Sequence, residues 1–198
     1  RQLIIPEQAS TAMASGVVLV REEGSKINSL RFTPSLGNSF GLSLDNCDGP
    51  LQDDFVEIKV SAVSLNFRDL MHAKYMSPKN LPFIPCSDCV GVVTRLGENV
   101  NFLSVGDRVC PLFFPKWKGS KPKSSTLAGV LGGMDVHSGT TRHGVLRDTI
   151  RIKESEVAKI PAYLSDEEAC TLPCAGLTAW FAVKGSYDYK EMGEEEEE

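Results

Sequence analysis

Thiols and imidazoles are the side chains here whose types and spacing could do chemistry. Cys86-Ser87-Asp88-Cys89 is a C-x-x-C, the pattern of a redox dithiol or of half a zinc site. A structural zinc takes four ligands. A second pair could come from Cys170 and Cys174, if Pro173 leaves their i, i+4 turn intact, or from Cys110 with His137 or His143. Thiols in such positions more often pack as small hydrophobes, and that is the reading adopted for them. His72, His137 and His143 titrate near neutral pH and could move protons. His72 falls on the polar side of a short helical stretch and the other two in a loop, so all three are read as solvated. Lys116, Lys118, Lys121 and Lys123 could steer an anion, but keeping a loop soluble is the preferred reading.

The elements that must position these groups come from an ordinary globular composition. With 198 residues, 41% hydrophobic and 8% aromatic, the chain can bury a core. Its formal charge of -5 comes from 21 basic and 26 acidic residues, and Glu194 to Glu198 form an acidic run at the end. Without that run the body is neutral, which argues against nucleic-acid binding as the main task, since that requires a basic face and no such face is evident in the sequence. No apolar run approaches the roughly 20 residues of a membrane helix, and no charged-then-apolar leader opens the chain. A cytosolic protein with reduced thiols is therefore expected, and the absence of Met at Arg1 suggests an incomplete or processed N-terminus.

Residues 1–15 read as a loose extension. From Gly16 the pattern is β: GVVLVRE, FVEIKVSAVSL, CVGVVTRLG, DRVCPLF and VLRDTIRI, separated by turn signals at Asn46, Gly49-Pro50 and Gly97-Glu98-Asn99. This spacing predicts a mainly β fold with short helices, closed as a barrel or a strongly bent sheet. Asn66 to Tyr75 has helical spacing, ended by Pro78 and Pro82. Residues 111–144 have no period and read as a long surface loop, a solvated cover or a disordered segment. Ser165 followed by Glu168 is a capping box opening a helix that Pro173 closes, and Ala175 to Val183 supplies a second, apolar one. The acidic tail, 185–198, is predicted to stay disordered.

Taken together, residues 61–110 and 172–183 resemble the N-terminal, GroES-like domain of the medium-chain dehydrogenase/reductase family, and within it the zinc-free quinone oxidoreductase branch. Zinc-dependent members place a ligating Cys three residues before an Asp; Asp69 matches that Asp, and Asn66 stands at the Cys position. Their Gly-His-Glu motif is replaced by Cys86-Ser87-Asp88, and only Cys174 falls where a third ligand is expected. The cysteine lobe of the family's structural zinc gives way to the Lys-rich loop. Zinc-free members share an Asn at position 66, a Pro-Gly-Ser-Asp turn matched by Pro85-Cys86-Ser87-Asp88, Gly-Asp-Arg-Val at 106–109, and Ala-Gly-Leu-Thr-Ala-Trp at 175–180. The similarity covers about residues 16–183.

The resemblance implies a GroES-like, partly open β-barrel over 16–161, the catalytic domain, followed by an inter-domain helix pair at 162–184 that leads to a Rossmann domain. No G-x-G-x-x-G follows a strand in this chain, so the dinucleotide half is expected to be missing and the fragment to be inactive alone. The implied activity is zinc-independent, NADPH- or NADH-dependent reduction of a small conjugated carbonyl, a quinone or an enone. No metal is implied. Asn66 is implied to face both nicotinamide and substrate, Tyr75 to be a hydroxyl donor or wall, and Thr178 to bind the nicotinamide carboxamide. Self-association through the apolar helix at 175–183 is expected once its partner domain is absent. Two other readings stay open: an inactive binding or regulatory module, and a small cysteine-coordinated metal protein.

Overall fold

A computed structural model describes residues 15–21, 23–24, 28–33, 50–75, 81–116, 129–134 and 141–185. The extension at 1–14, the turn signals at Asn46 and Gly49, Cys47, Pro78, His137, Lys118, Lys121, Lys123 and the acidic run lie outside these residues. The strands are β1 (Gly16–Val20), β2 (Ser29–Thr33), β3 (Phe55–Ser64), β4 (Asp88–Leu96), β5 (Arg108–Pro111), β6 (Gly133–Met134), β7 (Thr141–Arg142), β8 (Thr149–Lys153) and β9 (Val157–Lys159). The helices are α1 (Phe67–Tyr75), α2 (Asp166–Ala169) and α3 (Leu177–Trp180). The fold is mainly β with short helices, as the strand spacing predicts.

One antiparallel sheet runs in the order β8-β3-β4-β5-β9, and β1 pairs with β2. Val56 faces Ile152 and Ile58 faces Ile150 across β3 and β8, so the alternating apolar positions of both strands share one buried face. The chain entering β8 joins the two sheets, where Val17 N–H donates to Leu146 O at 2.8 Å and Gly16 bridges Arg147. Val17, Val18, Ile58, Val93, Val109 and Ile150 consequently pack into a single core inside a partly open barrel.

The Gly106-Asp107-Arg108-Val109 motif is scaffold rather than chemistry. Gly106, at φ 95, takes a backbone conformation that side chains disfavour. Asp107 accepts from Ser104 N–H and pairs with Lys159, both at 2.7 Å, and Val109 enters the core. Arg108 reaches out of the sheet to Asp166 and to Leu164 O at 2.8 Å. That grip docks α2, whose start carries the expected capping box: Glu168 N–H donates to Ser165 Oγ at 3.2 Å, and Ser165 N–H donates to Glu168 Oε2 at 2.9 Å.

Beyond α2 the chain does not stop at Pro173. It continues as a wide π turn over Leu172–Gly176, then α3, then a second π turn over Phe181–Gly185. Proline lacks an N–H and its ring crowds the carbonyl four residues back, which a widened turn relieves. Within 111–144, the described pieces are packed rather than loose. Leu131 is buried, its carbonyl accepts from Arg68 Nη2 at 2.9 Å, and Arg142 pairs with Glu156 at 2.8 Å.

Candidate active site

Asn66 sits between β3 and α1, where Asp69 N–H donates to Asn66 O at 3.0 Å. Asp69 returns a bond: its Oδ2 accepts Asn66 N–H at 2.8 Å. The other oxygen of Asp69 accepts Cys86 N–H at 3.1 Å, which fastens the turn before β4 to the start of α1. In that turn Cys86 holds φ 71, the left-handed region that favours glycine. Its carbonyl is closely covered, since a Cβ on Gly144 would lie 2.1 Å from Cys86 O.

The turn delivers Asp88 to the start of β4, fully buried. Three donors converge on its carboxylate. Oδ2 accepts Asn66 Nδ2–H at 3.0 Å and Cys174 N–H at 3.1 Å, and Oδ1 accepts the Ser87 hydroxyl. Burial raises the Asp88 pKa, opposed by the bonds from Ser87, Asn66 and Cys174. Asp88 thus joins α1, β4 and the terminal helical run. It was legible in the sequence as the last residue of the Pro-Cys-Ser-Asp turn, but nothing local signals that it gathers these partners.

The structure brings Asn66 to this hub and places Thr178 one turn beyond Cys174, on the exposed side of the terminal run. Tyr75 is not brought to Asn66. It ends α1, roughly 13 Å further along the axis at ~1.5 Å per residue, exposed and with the Lys74 ammonium 5.1 Å above its ring.

The histidines differ from the solvated reading. His72 is half-buried, edge-on to Phe83 at 5.7 Å, and burial, then the Arg68 charge, push its pKa down. His143 Nδ1 accepts Ile84 N–H at 3.4 Å, so it serves the backbone. Both rings contact Phe83, which is fully buried, and His143 lies 6.0 Å from it.

Cys86, Cys89 and Cys170 are buried, in keeping with packed thiols. Burial raises the Cys89 pKa, and pushes Cys110 and Cys170 each up to about 11. Cys174 is raised by burial and then by the Asp88 charge. A zinc ion takes lone pairs from deprotonated ligands. At two of the expected ligand positions the side chains instead turn hydrogens toward Asp88, the Asn66 amide and the Ser87 hydroxyl, while at the third it is the Cys174 backbone N–H that does so. Among the described residues no group of three or more His, Cys, Asp or Glu is arranged to hold a metal ion. Asn66 and Ser87 are not among the residue types that ordinarily ligate zinc.

A nicotinamide carboxamide needs both a donor and an acceptor. After its bond to Asp88, the Asn66 amide has one more hydrogen and its Oδ1, and Thr178 has a hydroxyl. Both residues carry groups of the kind such a carboxamide would pair with.

Residues 52–162 match the alcohol dehydrogenase GroES-like domain. The chain belongs to the medium-chain dehydrogenase/reductase family. A zinc-type alcohol dehydrogenase-like protein of Schizosaccharomyces pombe is 35% identical over 137 residues, which cover 68% of this chain and 38% of that protein. A reducing polyketide synthase of Gibberella moniliformis is 30% identical over 137 residues, 69% of this chain and 4% of the synthase. Among solved structures, an alcohol dehydrogenase of Sinorhizobium meliloti, itself assigned that role by inference, superposes with a TM-score of 0.67 at 28% identity, covering 90% of this chain and 48% of that one. This family member therefore spans under half the length of these relatives, and carries their GroES-like fold.

Proposed function

We propose that this chain is the catalytic half of a zinc-independent, NADPH- or NADH-dependent reductase acting on a small conjugated carbonyl of the quinone or enone type, and that it is inactive alone. The observation that carries the reading is the Asp88 carboxylate, which gathers Asn66, Ser87 and Cys174 N–H where a zinc-dependent relative needs metal ligands. In this reading residues 16–161 form the catalytic domain and 162–184 lead toward a dinucleotide-binding domain. The reading also places the protein in the cytosol, where its thiols stay reduced. The polyketide synthase relative supports a reductive reaction, because its name describes a reducing synthase.

A bound nicotinamide supplies the hydride. Asn66 and Thr178 hold its carboxamide, and Asn66 faces the substrate carbonyl. Without a Lewis acid the carbonyl is polarised by hydrogen-bond donors alone, which suits an easily reduced acceptor. Tyr75 lines the outer end of a substrate that extends along α1. The apolar face with Leu177, Trp180 and Val183, all exposed, is where two copies of the chain associate.

The experiment compares this 198-residue chain with a longer product of the same gene, following NADPH or NADH oxidation with a quinone and with an enone. The expected result is turnover by the longer form only, without stoichiometric zinc by elemental analysis. Turnover by the short chain overturns its inactivity. One zinc per chain, lost on mutating Cys174, overturns zinc independence.

A further inference from the structure

We propose that Asp88 is a positioning residue: its buried carboxylate fixes the orientation of the Asn66 amide and fastens the helix bearing Thr178 to the same anchor, so that the two are presented to a ligand as one unit. The proposal deepens the cofactor reading above and rests on it for the identity of that ligand.

The geometry supports each part. A side-chain amide looks nearly the same when rotated by half a turn, and only its hydrogen-bond partners decide which end points where. Asn66 meets a carboxylate, which accepts and does not donate, at 3.0 Å. The nitrogen must therefore face Asp88, leaving Oδ1 and one amide hydrogen for other partners. The backbone of Asn66 is independently held, because its N–H donates to Asp69 Oδ2 at 2.8 Å and its carbonyl accepts Asp69 N–H at 3.0 Å. Neither end of the residue is left to choose its own conformation.

The same Oδ2 accepts Cys174 N–H at 3.1 Å, at the wide turn over Leu172–Gly176. A π turn leaves backbone groups without their usual α-helical partners, and here one of them is used to hold a carboxylate. Gly176 N–H donates to Thr171 O at 3.0 Å, and the helix then continues through Leu177 to Thr178. Asn66 and Cys174 come from segments far apart in the sequence, and the Asp88 carboxylate is the group they share. The carboxylate does for these segments what a metal does for its ligands, joining them through one centre.

The test uses the 198-residue chain, isotopically labelled, with NADPH as the probe. In the wild type, the Asn66 side-chain amide, identified by its loss in Asn66→Ala, is expected to show one downfield, slowly exchanging hydrogen. Asp88→Asn is expected to speed that exchange at least about tenfold and to weaken NADPH binding about tenfold, a change worth ~1.4 kcal/mol. The double variant Asp88→Asn, Asn66→Ala should lose less binding than the sum of the two single losses, since the part that passes through Asn66 is common to both. An unchanged Asn66 amide in Asp88→Asn, or additive losses in the double variant, overturns the proposal. Should Asp88→Asn fail to fold, Asn66→Ala still decides: with one donor gone, the Asp88 carboxyl carbon should titrate at higher pH than in the wild type, and an unmoved titration overturns the coupling. Absence of NADPH binding by the wild-type chain is a result that the inactive-alone reading already allows, and the amide exchange then decides the positioning role by itself.

Discussion

Glu57 and Arg151 face each other across β3 and β8, and Glu57 Oε2 accepts two guanidinium hydrogens, from Arg151 Nε at 2.9 Å and Nη2 at 2.8 Å. Arg95 reaches the same oxygen from β4 at 3.3 Å. The arginines are unequal, because the Arg151 side chain is 5% exposed and that of Arg95 53%. Glu57→Ala leaves a buried guanidinium beside an empty position and is expected to cost about 2–3 kcal/mol, whereas Arg95→Ala, at the solvated rim, should cost under about 0.5 kcal/mol. Urea unfolding of both variants checks the contrast, and equal losses would contradict it.

Cys86 is the position where left-handed backbone meets a buried side chain. Glycine there relieves about 1–2 kcal/mol of strain but loses the packed thiol and gains freedom in the unfolded chain. The terms oppose, so Cys86→Gly should change stability by less than about 1 kcal/mol. Cys86→Val adds a branched Cβ at positive φ and is expected to lose more than about 2 kcal/mol. Thermal unfolding of the two variants provides the comparison.

Arg108 holds α2 to the sheet through Asp166, whose other oxygen accepts the Ser61 hydroxyl at 2.6 Å. Arg108→Ala breaks the grip at its sheet end while leaving the barrel core intact. Amides from 164 to 172 should exchange at least about five times faster, with those of β3 and β4 unchanged, a local opening of about 1 kcal/mol. Uniform acceleration across the sheet would show that Arg108 supports the whole domain instead.

Asp88 has a raised pKa in the folded chain, burial being the main cause. A raised carboxyl pKa means the folded state holds its proton more tightly than the unfolded state. The stability contribution is complete below the ordinary carboxylate range and is lost as pH rises through the raised folded value. Asp54, Asp107 and Asp166 are shifted the other way, so they lose stability as pH falls and would mask the effect in the wild type alone. Asp88→Asn isolates it: relative to wild type, the variant should gain stability as pH rises through the carboxylate range. A pH-independent difference between the two proteins would show that Asp88 does not titrate as described.

Much of the barrel was legible in the sequence because alternation is a local property. β1, β3, β4, β5 and β8 each fall in a run rich in β-branched residues, and in β3 the burial of Val56 and Ile58 between exposed or half-exposed neighbours is what alternation predicts. The Ser165 and Glu168 cap is equally local, spanning three positions. β2, β6, β7 and β9 were not legible, having two to five residues and no period of their own; each is defined by a partner strand that supplies its hydrogen bonds. For the site, the residue types at 66, 87 and 174 could be read against a family pattern, and so could the mismatch with zinc. What tertiary structure alone decided is the hub around Asp88. Asn66 and Asp88 lie 22 positions apart, and Asp88 and Cys174 lie 86 apart. No periodicity reaches across such distances; closing the barrel brings the three together, and burial obliges their polar groups to find one another.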